Sequence, residues 1–240
     1  MALLNKKKSE DTATETNETT APETPATETT AVATKAKSEM VVAPELKNSV
    51  FITNPLFLEA AAGADWGTFP SIVATNGTHM VSGSDVVDLG KVLKFQAILA
   101  NTVWKIVPGS SDEEAKEYFK VSKDGEVCND GQDIQEALQD ALDAGYSKAS
   151  IKEYVDVICI ITECGDADYV GETMTLQLAP SSQYTWRPLA SKCKMKAAMG
   201  KLEAEPVLGD PTLGSAVVFT STAKPTSYKG NNFTKLEFSI

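Results

Sequence analysis

Between Ser9 and Ser38 the chain is built mainly from Thr, Glu, Ala and Pro, and Val32 is its only large aliphatic residue. Ordering one residue costs about 1–2 kcal/mol in backbone entropy alone, and so polar a stretch buries too little apolar surface to offset it. Residues 1–46 are therefore expected to form a disordered acidic tail. Folding falls to residues 47–240, enough chain for a single domain with a sizeable core.

Within that domain the hydrophobic pattern changes period several times. Residues 50–90 carry Pro55, Gly63, Gly67, Pro70, Gly77, Gly83 and Gly90 and read as short strands and loops. From Lys91 to Val107, Leu93, Phe95, Ala97 and Leu99 alternate with Lys94, Gln96 and Ile98. That is strand periodicity, and so long a strand needs a bend or bulge. Ser111 before Asp112-Glu113-Glu114 has the form of a capping box for a short helix. Lys123-Asp124-Gly125 reads as a hairpin turn. Ile134, Ala137, Leu138, Ala141 and Leu142 are spaced for a helix over 132–144 closed by Gly145. Strands follow at Ile151–Thr162 and Thr173–Leu178, then a helix from Pro180 to about Met199. Strands near 202–207, 213–221 and 233–239 complete the chain. Parallel βαβ repetition is absent. The expected fold is α+β: a mainly antiparallel sheet or barrel with two peripheral helices.

The residue inventory argues against common catalytic sites. His79 is the only histidine and sits among Gly, Thr and Ser, which reads as a surface loop. Nucleophile-elbow, phosphate-loop and dinucleotide-binding patterns are missing, and so is any Cys-x-x-Cys pair. Cys159 and Cys164 are poorly spaced for zinc. The carboxylates of 112–172 are scattered and read as a solvated face. The chain is expected to be non-enzymatic and to need no cofactor. It lacks a run of about 18 apolar residues, the minimum for a membrane span. Its first apolar residues precede Lys6-Lys7-Lys8 instead of following them, the reverse of a signal peptide. The reading is a cytoplasmic protein whose four cysteines stay reduced, with no membrane contact.

Charge is unevenly divided. The net charge is −11 overall, but residues 112–172 hold 5 basic and 17 acidic groups, whereas 173–240 hold 8 basic and 4 acidic. A basic C-terminal third points to an anionic partner, against the plainer view of a solvated surface. Grooves that track single strands combine cations for phosphates with aromatic faces for bases. Tyr184, Arg187, Lys192, Lys194 and Lys196 supply such a set, as do Lys224, Tyr228 and Lys229. Lys94, Trp104 and Lys105 on the long strand are further candidates. At 100° per residue, Trp186, Leu189, Ala190, Cys193 and Ala197 form the buried stripe of the last helix, so Trp186 belongs to the core. Lys192 and Lys196 share one flank; Arg187, Lys194 and Lys201 share another. The helix cations thus surround its exposed side instead of lining one groove. Residues Lys224–Asn232 are read as a polar, flexible loop between two strands, carrying Tyr228. Trp104 is open to both a core and a platform role.

Across 90–240 the order of parts resembles phage-encoded single-stranded-DNA-binding proteins of the oligonucleotide-binding barrel class. The resemblance rests on the long strand leading to Lys123–Gly125, the helix ending in Ala144–Tyr146, the strand around Lys152-Glu153-Tyr154, and Leu176–Ser182 opening the second helix. It implies sequence-tolerant binding of single-stranded DNA in replication or recombination, with partner proteins recruited through a flexible acidic tail. Such proteins carry that tail at the C-terminus; here the acidic segment is N-terminal and Phe233–Ile240 reads as a strand. The rival expectation is a structural or scaffold protein, a virion or assembly component acting through protein contacts. A homo-oligomer is compatible with either.

Overall fold

The alternating run beginning at Lys91 becomes the axis of the molecule. The computed structural model describes residues 49–65, 67–83, 86–109 and 120–240. The expected tail at 1–46 and the capping box at Ser111 lie outside the described residues. Strand β4 (Val92–Val107) pairs antiparallel with β6 (Ser150–Glu163) over nearly its full length. Register shifts at Lys94/Phe95 and Ala97/Leu99 supply the bend that a 16-residue strand requires.

The remaining strands are β1 (Ser71–Thr75), β2 (Thr78–Ser82), β3 (Val87–Gly90), β5 (Lys120–Ser122), β7 (Thr173–Leu178), β8 (Glu205–Val207), β9 (Asp210–Ala216), β10 (Val218–Tyr228) and β11 (Asn231–Ser239). The main sheet runs β11-β10-β4-β6-β7-β1-β2-β3, with β5 against the far half of β4; β8 and β9 form a separate hairpin. One pairing is parallel: Ser71 and Ile72 of β1 lie opposite Thr175 and Leu176 of β7. The sheet is therefore mixed: mainly antiparallel, as expected, with this one short parallel contact among the described residues. These two strands are a hundred residues apart in sequence, and no local pattern foretells their meeting.

The sheet curls into a half-barrel. All eight strands of that path send a residue into one apolar cluster, including Ile72, Val81, Leu89, Phe95, Cys159, Leu176, Phe219 and Leu236. Helix α3 (Pro180–Ala198) packs on this cluster through Trp186 and Cys193, against β11, β6 and β7. Its Trp186, 2% exposed, has its ring centre 5.1 Å from Phe219, 5.3 Å from Phe238 and 5.8 Å from Phe51. Truncating such a side chain to alanine costs about 3–5 kcal/mol. Two smaller clusters lie outside this core. Ile98, Leu99, Ile158 and Ile160 pack beneath α1 (Pro55–Ala62) and the β8–β9 hairpin. Ile106 packs against Ile134, Ala137 and Ala141 of α2 (Ile134–Asp143). Among the described residues there are thus three α-helices where two peripheral helices were expected. The extra one, α1, starts at Asn54-Pro55, where Asn54 Oδ1 accepts from the Leu56 N–H at 3.0 Å. Asparagine cap followed by proline is a helix-start signal that the surrounding glycines obscure.

The curl is held by side chains as well as ladders. The β1–β2 hairpin turns on Asn76-Gly77, both at positive φ, and returns against the β10–β11 hairpin. There the Gly77 N–H donates to Thr234 Oγ1 at 2.9 Å. His79 is not a surface loop residue. It sits on β2, fully buried, with Nδ1 2.9 Å from Gly90 O and Nε2 2.9 Å from Ser221 Oγ. A carbonyl only accepts, so Nδ1 carries the proton and Nε2 accepts from the Ser221 hydroxyl. Burial lowers the pKa of this imidazole and keeps it neutral.

Candidate nucleic-acid interface

The site begins with a gap in the ladder. Strand β10 lies opposite β4 only as far as Gln96, and β5 only from Trp104 onward. Among the described residues, 97–103 of β4 therefore have a strand partner on the β6 side alone. Above this gap, between β4, β6 and α3, lies a cleft of about 970 Å³ lined by Trp104, Glu153, Arg187 and Lys194 among others. A neighbouring cleft of about 650 Å³ shares Trp104 and Lys194 and adds Lys123, Asp65 and Asp156.

Trp104 is held from behind by a turn. A Cβ added to Gly125 would stand 3.1 Å from Trp104 Cδ2 and 3.2 Å from Cε2, so the glycine backbone lies against the indole. Gly125 has φ +83°, which independently favours glycine. Asp124 organises the turn: its Oδ1 accepts from Ser122 Oγ and the Glu126 N–H at 2.8 Å and from the Val127 N–H at 2.9 Å. The main-chain bonds from Val127 and Glu126, with help from Ser122, pull this carboxyl down to about 2. The Lys-Asp-Gly turn expected from sequence is therefore present, though beyond β5 it closes on a single bridge, Ser122 to Cys128. Trp104 is partly buried, packs in part against the Ile106–α2 cluster, and also lines both clefts.

The candidate residues separate into four groups. Trp104, Arg187 and Lys194 come together at the cleft, and Arg187 is ion-paired with Glu153. Arg187 and Lys194 thus share a groove, which corrects the expectation that the helix cations only surround its exposed side. Tyr184, 81% exposed, borders an adjoining depression of about 430 Å³ together with Lys152, Glu153 and Arg187. A second group sits on the opposite face of the sheet. Leu93 and Ala223 point into the main core, so their neighbours Lys94 and Lys224, and Tyr228 in register with the latter, point outward. Lys94 pairs with Glu163 and Lys224 with Glu237. Tyr228 is 64% exposed, and Lys229 Nζ lies 5.3 Å from its ring centre. The expected flexible loop here is two strands joined by a Lys229-Gly230 turn at φ 50° and 81°. Pro225 is compatible with strand structure because β10 has already left β4 at Thr222. The third group, Lys192 and Lys196, lies on α3 and does not line the cleft.

Lys105 is the fourth case and a correction. It is 3% exposed, with Nζ 3.3 Å from Asp156 Oδ1 and 4.8 Å from the centre of the Tyr154 ring. Strand alternation turns it inward while its neighbour Trp104 faces the cleft, so it presents no charge to a phosphate. Burial lowers the lysine pKa and raises that of Asp156, in each case against the pull of the partner charge.

Lys123, Lys152 and Glu153 were not among the sequence candidates. Lys123 sits in the recognised turn, and proximity to Trp104 follows only from the β4–β5 pairing. Lys152 and Glu153 stand opposite Lys105 and Trp104 in the β4–β6 register, which a single strand's pattern does not reveal. Among the described residues, no group of three or more His, Cys, Asp or Glu is placed to hold a metal ion, and no helix is long and apolar enough to cross a membrane. No family model matches the chain, nor does any curated protein or solved structure.

Proposed function

We propose that the protein binds single-stranded nucleic acid, without strong sequence preference, in the cleft at Trp104. The observation that carries this reading is the indole itself. It is backed by Gly125, borders open space, and has Arg187 and Lys194 across the same cleft. An aromatic face tolerates any base, and cations opposite it take the phosphates. The curled sheet with a helix packed on its core supports an oligonucleotide-binding type of barrel. With the resemblance noted above, it favours single-stranded DNA in phage-type replication or recombination.

The rival reading, a structural or scaffold protein, draws on the net charge of −11, which repels nucleic acid at long range. Titration of a labelled thymidine oligomer at about 50 and 200 mM salt separates the two. With Arg187 and Lys194 on phosphates, a single-strand slope of about −0.7 per contact predicts a roughly 7-fold loss over that range. Trp104→Ala weakens binding by about 1–3 kcal/mol. Absence of binding at the lower salt refutes the proposal and leaves the scaffold reading.

A further inference from the structure

We infer that the binding surface continues beyond Trp104 as one track along α3, passing Arg187 and Tyr184 and ending at Lys152, with room for about four nucleotides. This rests on the single-strand reading above and adds its path and extent. Three depressions adjoin. The Trp104 cleft shares Glu153 and Arg187 with the depression beside Tyr184, and that depression shares Lys152 and Pro180 with a cavity of about 1120 Å³ at the N-terminal end of α3. From Lys194 at one end to Pro180 at the other is fourteen helical residues, about 21 Å at 1.5 Å per residue. A stretched strand of about four nucleotides fits that span, the lower end of the range for single domains of this kind.

The two residues that the track adds, Tyr184 and Lys152, have little structural work to do. Tyr184 is 81% exposed on a helix whose core contacts come from Trp186 and Cys193. Lys152 is exposed and has no ion-pair partner among the described residues. Arg187 stands in the wall common to two depressions. Rings and cations therefore alternate in order: Trp104 with Lys194, then Arg187, then Tyr184 with Lys152. That is the arrangement a base-stacking, phosphate-tracking groove needs.

The test is a length series of thymidine oligomers, from the dinucleotide to roughly ten nucleotides, against wild type, Tyr184→Ala and Lys152→Gln. Both substitutions are at exposed positions, and thermal melting checks that the fold is retained. Affinity is expected to climb steeply up to about four nucleotides. Each variant should lose about fivefold or more on oligomers of that length and longer, with dinucleotide binding unchanged. A wild-type affinity that stops rising at two nucleotides, or variants that match wild type at every length, overturns the track while the Trp104 cleft stands. If even the longest oligomer fails to bind, the underlying reading falls and the track falls with it.

Discussion

Glu153→Gln is expected to tighten binding. In the free protein Arg187 is held by the Glu153 carboxylate, and both side chains are partly open to solvent. A phosphate arriving at Arg187 must displace that carboxylate. An exposed pair of this kind is worth about 0.2–1 kcal/mol. The carboxylate also repels the incoming phosphate by about 1 kcal/mol at roughly 5 Å in a water-like dielectric. Removing the charge while keeping the shape therefore gains about 1–2 kcal/mol, or about 5- to 30-fold in Kd. Glutamine preserves the local packing, because the bond from Gln183 Nε2 goes to the Glu153 main-chain oxygen at 2.9 Å. Anisotropy titration of a labelled thymidine oligomer reads the effect, and it should shrink at high salt. Arg187→Gln should act in the opposite sense and flatten the salt slope by about 0.7. If Glu153→Gln weakens binding, or if neither change alters Kd, then Arg187 does not lie on the path of the strand.

Other consequences follow from the buried polar groups and the helix flanks. Lys105→Met should cost about 3–5 kcal/mol in urea unfolding by stranding Asp156, and Lys105→Met with Asp156→Leu should recover most of it; oligomer affinity should stay unchanged, and a loss would return Lys105 to the interface. His79, the only histidine, is buried with a lowered pKa. Its contribution to stability is complete above the unfolded value of about 6.5 and declines as pH falls below it, because the unfolded chain takes up the proton first. Stability of the wild type minus that of His79→Gln should fall from pH 7 toward 5.5, and a flat difference would contradict the buried, neutral assignment. Lys194→Glu should weaken binding more than Lys192→Glu, since only Lys194 lines the cleft; equal losses would mean that the strand contacts α3 from another side.

The local periodicities carried much of the fold. The strand at Thr173–Leu178, the bend in β4, the helix around Ile134–Leu142 and the burial of Trp186 all follow from side-chain spacing along one element. What the spacing missed is pairing between distant elements. The parallel contact of β1 with β7, the burial of His79 against Ser221 and the gap in the β4 ladder each depend on residues far apart in sequence. Asn76-Gly77 is a strong two-residue hairpin signal and was legible, yet the glycines around it left the segment read only as short strands and loops, with no hairpin placed. At Lys224–Asn232 polarity suggested a loop, whereas strand alternation with a Lys-Gly turn describes the segment better. The site was half legible for the same reason. The helical wheel put Arg187 and Lys194 on one flank, but what faces that flank is fixed by the β4–β6 register, which brings Glu153 opposite Trp104.

The most direct measurement is photocrosslinking. A thymidine oligomer carrying 5-iododeoxyuridine, irradiated in complex with the full chain and mapped by mass spectrometry, reports which rings lie against bases. Adducts on Trp104, with Tyr184 joining as the oligomer lengthens, are the predicted result. Adducts confined to Tyr228 on the outer face of the sheet, or none on any ring, would contradict the account.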